Sequence, residues 1–123
     1  MPKQNSTYKK QLGNQGEDIA ATFLTNKGYS IIKRNFKLGK SGEIDIIAQS
    51  NNIIIFVEVK TRTNYKFGNP LEQISLRKRN NWKKTAEEFM FNNNILNQEC
   101  RLDLITIDME GKEHKITHIE NAF

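Results

Sequence analysis

The spacing of apolar residues changes period several times along the chain, and each change predicts an element. From about Gln11 to Lys27, the residues Leu12, Ile19, Ala20, Phe23 and Leu24 fall on one helical stripe, and Gly28 follows where a C-cap is expected. Residues 1–10 show no such period and are expected to form a flexible N-terminal tail, leaving 11–123 as one domain. Tyr29–Phe36 reads as a strand, Gly39 and Gly42 mark a turn, and two further strands are predicted at Glu43–Gln49 and Ile53–Lys60. Ser50-Asn51-Asn52 lies between those two, and asparagine tolerates the positive φ of a tight hairpin turn.

Asn69-Pro70 reads as the start of a second helix, with Asn as the cap, Pro at the first helical position and Glu72 three residues after the cap. Leu71, Ile74, Trp82, Thr85, Ala86 and Phe89 form its apolar stripe, which fades into the polar Asn92–Asn94 turn. Arg101–Asp108 alternates as a strand, Gly111 marks a turn and Lys115–Ile119 is a short last strand. The order α-β-β-β-α-β-β predicts an α/β fold, a mixed sheet flanked by helices.

Composition narrows the class. With 123 residues, 37% hydrophobic residues and a mean hydropathy of -0.68, the chain is sized for one domain and contains no membrane-spanning stretch. The N-terminus lacks the apolar core of a secretory signal, and the single cysteine, Cys100, cannot form an intrachain disulfide. Both features lead us to expect a cytoplasmic protein. The formal charge of +5 is unevenly spread, with basic flanks at residues 1–40 and 61–98 around a mildly acidic centre at 41–60. That arrangement suits a polyanion held over a cation-binding site, although a solvated surface with a modest basic excess has the same composition.

The candidate chemistry lies in the hairpin Gly42-Glu43-Ile44-Asp45 … Phe56-Val57-Glu58-Val59-Lys60. Alternate residues of a strand share a face, so Glu43 groups with Asp45, and Glu58 with Lys60. A two-residue turn at Asn51-Asn52 sets Asp45 across from Glu58 and Glu43 across from Lys60. Two opposed carboxylates repel unless a cation lies between them, and Mg²⁺ typically takes one or two protein carboxylates together with water and phosphate. An ordinary surface ion pair between Glu43 and Lys60 is the competing explanation, and a slip of one residue would dissolve the alignment.

Other residues add to this picture. Glu17 flanks the first helix's stripe, beside Gly13 and Gly16, where it would supply a third carboxylate or complement the helix dipole. Lys78 falls on the inward stripe of the second helix, with Gln73 and Arg77 on the same edge and Arg62 directly after the Glu-Val-Lys segment. These four make a phosphate-contacting edge, or Lys78 simply snorkels. His114, His118 and Cys100 are too few for a zinc site, Arg101 and Asp103 read as a structural ion pair, and Trp82 reads as core.

Asp45, a gap of twelve residues, then Glu58-Val59-Lys60, with Glu17 upstream, resembles the PD-(D/E)-x-K nuclease superfamily. Within it the chain is similar to the small YraN-type family, related to archaeal Holliday-junction resolvases. The resemblance runs through Gly13–Glu17, Gly42–Asp45, Phe56–Arg62, Phe67–Pro70, Arg101–Asp103 and His118–Phe123. It departs from the superfamily name in having Ile44, not proline, before Asp45.

The resemblance implies a restriction-endonuclease-like sheet, with Asp45, Glu58 and the Val59 carbonyl as ligands of Mg²⁺ or Mn²⁺. Lys60 would position or activate the attacking water and Glu17 would assist. The expected function is a Mg²⁺-dependent endonuclease acting on DNA, in branched or structured form. A resolvase activity would require two active sites and hence a homodimer. The alternative is a non-catalytic nucleic-acid-binding or regulatory module on the same fold.

Overall fold

A computed structural model describes residues 2–39, 42–63 and 68–122. The chain forms α1 (Pro2–Asn26), β1 (Ser30–Leu38), β2 (Gly42–Ser50), β3 (Ile53–Arg62), a 3-10 turn (Pro70–Gln73), α2 (Leu76–Asn92), β4 (Cys100–Glu110) and β5 (Glu113–Ile119). This is the expected α/β order. The five strands form one sheet in sequence order, antiparallel throughout except for the parallel β3–β4 pair that α2 bridges.

The sheet is covered on both faces. Against one lies α1, where Ala20 and Leu24 meet Ile46, Ala48, Ile55, Val57, Ile105 and Ile107. On the other lies α2, where Trp82, Ala86, Phe89 and Met90 meet Ile47, Ile54 and Phe56. Burial from both sides explains why Ile53–Val57 and Leu104–Ile107 read as nearly unbroken apolar runs: a central strand has no solvent face on which to place polar residues.

Local chemistry sets the boundaries. Gly28 (φ 94) ends α1, with the Tyr29 N–H bonded to the Leu24 carbonyl and the Gly28 N–H to the Thr25 carbonyl. That pair of bonds is a Schellman cap, and its positive φ favours glycine. Asn51 (φ 49) and Asn52 (φ 67) turn the β2–β3 hairpin, both in the left-handed region that a two-residue primed turn requires.

Two boundaries differ from the sequence expectation. Helix α1 begins at Pro2 rather than near Gln11. The second helix does not start at Asn69-Pro70. Asn69 caps only a 3-10 turn, accepting a bond from the Leu71 N–H at 3.0 Å. The chain re-extends at Ile74, and Ser75 then caps α2, its hydroxyl accepting from the Lys78 N–H at 3.1 Å. Both caps are good local signals; the extended backbone at Ile74 ends the turn opened by the first, and the long helix starts from the second. Among the described residues, no helix is long and apolar enough to cross a membrane.

Candidate active site

The hairpin register is the one its turn dictates: Ser50 pairs with Ile53, and the ladder runs in step to Ile46 opposite Val57. One step further along both strands come Asp45 and Glu58. Here the side chain takes over from the backbone, and Asp45 Oδ2 accepts the Val59 N–H at 2.8 Å. The bond holds the Asp45 carboxylate at the end of the strand pair, on the sheet face that α2 covers. Glu58, only 5% exposed, lies on that same face.

Two glycines let the helices close in on this point. A Cβ on Gly42 would collide with the Thr85 hydroxyl of α2 and crowd the Asn81 carbonyl, so α2 packs directly on the start of β2. On the opposite face, a Cβ on Gly16 would collide with the Thr61 hydroxyl, so α1 meets β3 next to Lys60. The close approach suggested for the glycines beside Glu17 thus falls on Gly16; Gly13 has open space around it.

Between β2, β3 and the first turns of α2 lies a cavity of about 220 Å³ lined by Gly42, Glu43, Asp45, Glu58, Lys78, Asn81 and Trp82. Lys78 reaches into it from the first turn of α2, its Nζ 2.6 Å from Glu58 Oε1. Burial works against the lysine's charge, but the adjacent Glu58 carboxylate outweighs it and holds the ammonium protonated above its usual range. Trp82 belongs to the core, as expected, and also forms one wall.

The acids carry the signature of crowding. Burial, then the Glu58 charge, pushes the Asp45 carboxyl up to about 8, against the Val59 N–H that favours its ionised form. Glu17 is raised as well, first by burial and then by Glu43, Asp18 and Glu58, with Arg34 opposing. Its Oε1 is buried and has no hydrogen-bond partner among the described residues. Glu17 therefore belongs electrostatically to this centre although it arrives on the other helix.

The remaining candidates divide. Lys60 is half-buried on the same strand face as Glu58, one alternation further along β3. Arg77 is exposed at the start of α2, beside Lys78. Arg62 is not at the cavity. It is 8% exposed and gives Asp108 two bonds, at 2.6 and 2.9 Å, with a third to the Gly68 carbonyl at 3.2 Å. The side chain of Gln73 lies outside the described residues, as do Phe67 and Phe123 of the motif series.

A second polar cluster lies apart from this cavity. Asp103, fully buried, accepts bonds from Arg101 (2.8 and 2.9 Å), from His118 Nε2 (2.7 Å) and from the Asn121 N–H (2.9 Å). Burial opposes its charge, but the bonds from His118 and Arg101 prevail and hold the carboxyl below its usual range. The expected Arg101–Asp103 pair is therefore structural, and it also anchors the C-terminal segment. The part of His118 was not legible from spacing, because β4 and β5 bring it in from a separate strand.

Can this centre hold a divalent cation? Its donors are hard carboxylate oxygens that repel one another, and Glu17, with a buried oxygen that lacks a hydrogen-bond partner among the described residues, couples to them electrostatically from α1. Among the described residues, no three acid, histidine or cysteine side chains already converge on one point. The donor set fits Mg²⁺, which keeps several positions for water and phosphate, and does not fit a closed structural site.

Comparison with known proteins places the chain. The family described as Uncharacterised protein family UPF0102 matches residues 16–107. A UPF0102 protein of Dictyoglomus turgidum is 41% identical over 116 residues, covering 93% of this chain and 98% of that protein. One from Clostridioides difficile is 44% identical over 114 residues (93% and 97%), and one from Flavobacterium psychrophilum is 45% identical over 112 residues (91% and 92%). The chain belongs to the UPF0102 family, the YraN-type family of the sequence resemblance.

Proposed function

We propose that this UPF0102 protein is a Mg²⁺-dependent endonuclease of the PD-(D/E)-x-K type that hydrolyses phosphodiester bonds in DNA. The observation that carries this reading is the pair Asp45 and Glu58. They line one cavity, Glu58 buried and Asp45 partly so, and repel each other, with Lys60 on the same strand face as Glu58. Like charges so placed are costly in a merely structural sheet end, and that cost is offset when a divalent cation is shared between them.

Asp45, Glu58 and the Val59 carbonyl would hold the metal. When bound, it would stabilise charge on the phosphoryl group and make a water nucleophilic at neutral pH. The chain's own residues do the rest. The Val59 N–H fixes the Asp45 carboxylate, so its geometry does not need to reorganise on binding. The Lys60 ammonium orients the attacking water and offsets the developing negative charge. Glu17 adds negative potential from α1. The basic residues of α2, among them Arg77, Lys83 and Lys84, attract the backbone by counterion release.

One observation favours a non-catalytic module: Lys78 already neutralises Glu58 without any metal. Cleavage separates the readings. Labelled linear duplex, single strand, flap and four-way junction DNA are incubated with Mg²⁺ or Mn²⁺ and with wild type or Lys60→Ala. The nuclease reading predicts metal-dependent cutting of at least one form, reduced by about 10²-fold or more in the variant. Salt-sensitive binding with no cutting of any form would favour the module.

A further inference from the structure

The Lys78–Glu58 contact joins unequal partners. The Glu58 side chain is 7% exposed and that of Lys78 is 52% exposed, so the carboxylate is fixed in the sheet while the ammonium sits at the solvent side of the cavity. The lysine backbone is pinned by the Ser75 cap in the first turn of α2, but four rotatable bonds separate that backbone from the charge. Swinging the ammonium out would therefore disturb no packed core. It would, however, leave Glu58 uncompensated beside Asp45. Lys78 thus occupies Oε1, one of the two oxygens through which a cation would engage Glu58.

We infer that Lys78 is an exchangeable internal counter-ion: it neutralises Glu58 in the free protein and transfers to a backbone phosphate of bound nucleic acid when a divalent cation takes over Glu58. This rests on the proposed nuclease reading and adds a coupling to it. A divalent cation and an ammonium sharing one carboxylate edge repel each other, so the cation releases Lys78 toward the cavity mouth. A polyanion there stabilises the released lysine and thereby tightens metal binding. By linkage, metal must tighten nucleic-acid binding by the same factor. A lysine that stayed on Glu58 would give no such contribution.

The test measures Mn²⁺ affinity by calorimetry, with and without a short DNA duplex or a four-way junction, in wild type, Lys78→Met and Lys78→Gln. Cleavage is suppressed by phosphorothioate linkages, and folding is confirmed by circular dichroism. Without DNA, the variants should bind Mn²⁺ about tenfold more tightly than wild type, because the resident cation is gone. DNA should raise wild-type Mn²⁺ affinity by about tenfold beyond the rise seen in the variants, a coupling of ordinary allosteric size. Variants that bind Mn²⁺ no more tightly, or that retain the full coupling, would overturn the exchange while leaving the metal centre standing. Absence of Mn²⁺ binding in wild type would instead overturn the nuclease reading itself.

Discussion

Replacing Asp45 with asparagine should stabilise the metal-free protein, and increasingly so as pH rises. The substitution keeps the shape and an oxygen to accept the Val59 N–H, but it removes the charge that burial and Glu58 oppose. The folded-state pKa of Asp45 is raised from 3.8 to about 8. Between those values the folded wild type holds a proton that the unfolded chain has released. Wild-type stability attributable to this group is therefore fully present below about pH 4 and declines as pH rises toward 8, at up to about 1.4 kcal/mol per pH unit. Asparagine does not titrate, so the gap between variant and wild type widens across the same window.

From about pH 5.5 to 7.5 the upper bound is about 2.7 kcal/mol. Discounting it by half for the partial exposure of Asp45 leaves roughly 1–2 kcal/mol, or about 3–10 °C in Tm for a domain of this size. Thermal melts of both proteins in EDTA, across that pH range, measure it. Saturating Mg²⁺ should then raise wild-type Tm and leave the variant unmoved. A variant no more stable than wild type at pH 7.5, or a gap independent of pH, would refute the idea that Asp45 is held in a repulsive site.

Three further outcomes follow from the packing and the ion pairs. Arg62→Ala leaves Asp108 buried and uncompensated, and should cost about 3–5 kcal/mol in urea denaturation while the salt dependence of DNA binding stays unchanged; a shallower salt slope would instead restore Arg62 to the nucleic-acid interface. Gly42→Ala forces α2 away from β2 at Asn81 and Thr85, and should cost about 1–3 kcal/mol and weaken Mn²⁺ binding, as melts and calorimetry would show. For Asp103 the pKa is lowered, so its contribution is present above the unfolded value and lost as pH falls through the folded one. Asp103→Asn should therefore destabilise most near neutral pH, and the gap to wild type should close in acid below about pH 4; a gap that persists there would contradict the ionic network.

The parts of the site governed by local chemistry were readable in the sequence. Two adjacent asparagines fix the hairpin turn, the turn fixes the register as far as Ile46 opposite Val57, and Asp45 and Glu58 come one step beyond the last pair. Lys78 stood out as a lysine on an apolar stripe; the structure puts it on the cavity edge with its side chain half exposed, on a helix that starts at Leu76 and not at Pro70. What the sequence concealed depends on distant pairings. Arg62 follows the Glu58–Lys60 segment directly and so suggested a phosphate contact, yet its partner is Asp108, 46 residues away and brought opposite by the parallel β3–β4 register. No turn links parallel strands, so no local signal sets that register. The roles of Gly42 and Asn81 are hidden for the same reason, because they arise where α2 meets β2.

The proposed divalent-cation site at Asp45 and Glu58 is tested by a crystal structure of the protein soaked with Mn²⁺, with data collected for anomalous scattering from the metal. An anomalous peak is expected between the Asp45 and Glu58 carboxylates and the Val59 carbonyl, with Lys78 withdrawn from Glu58. An empty site at saturating Mn²⁺ with the Lys78–Glu58 pair intact, or a peak elsewhere on the protein, would contradict it.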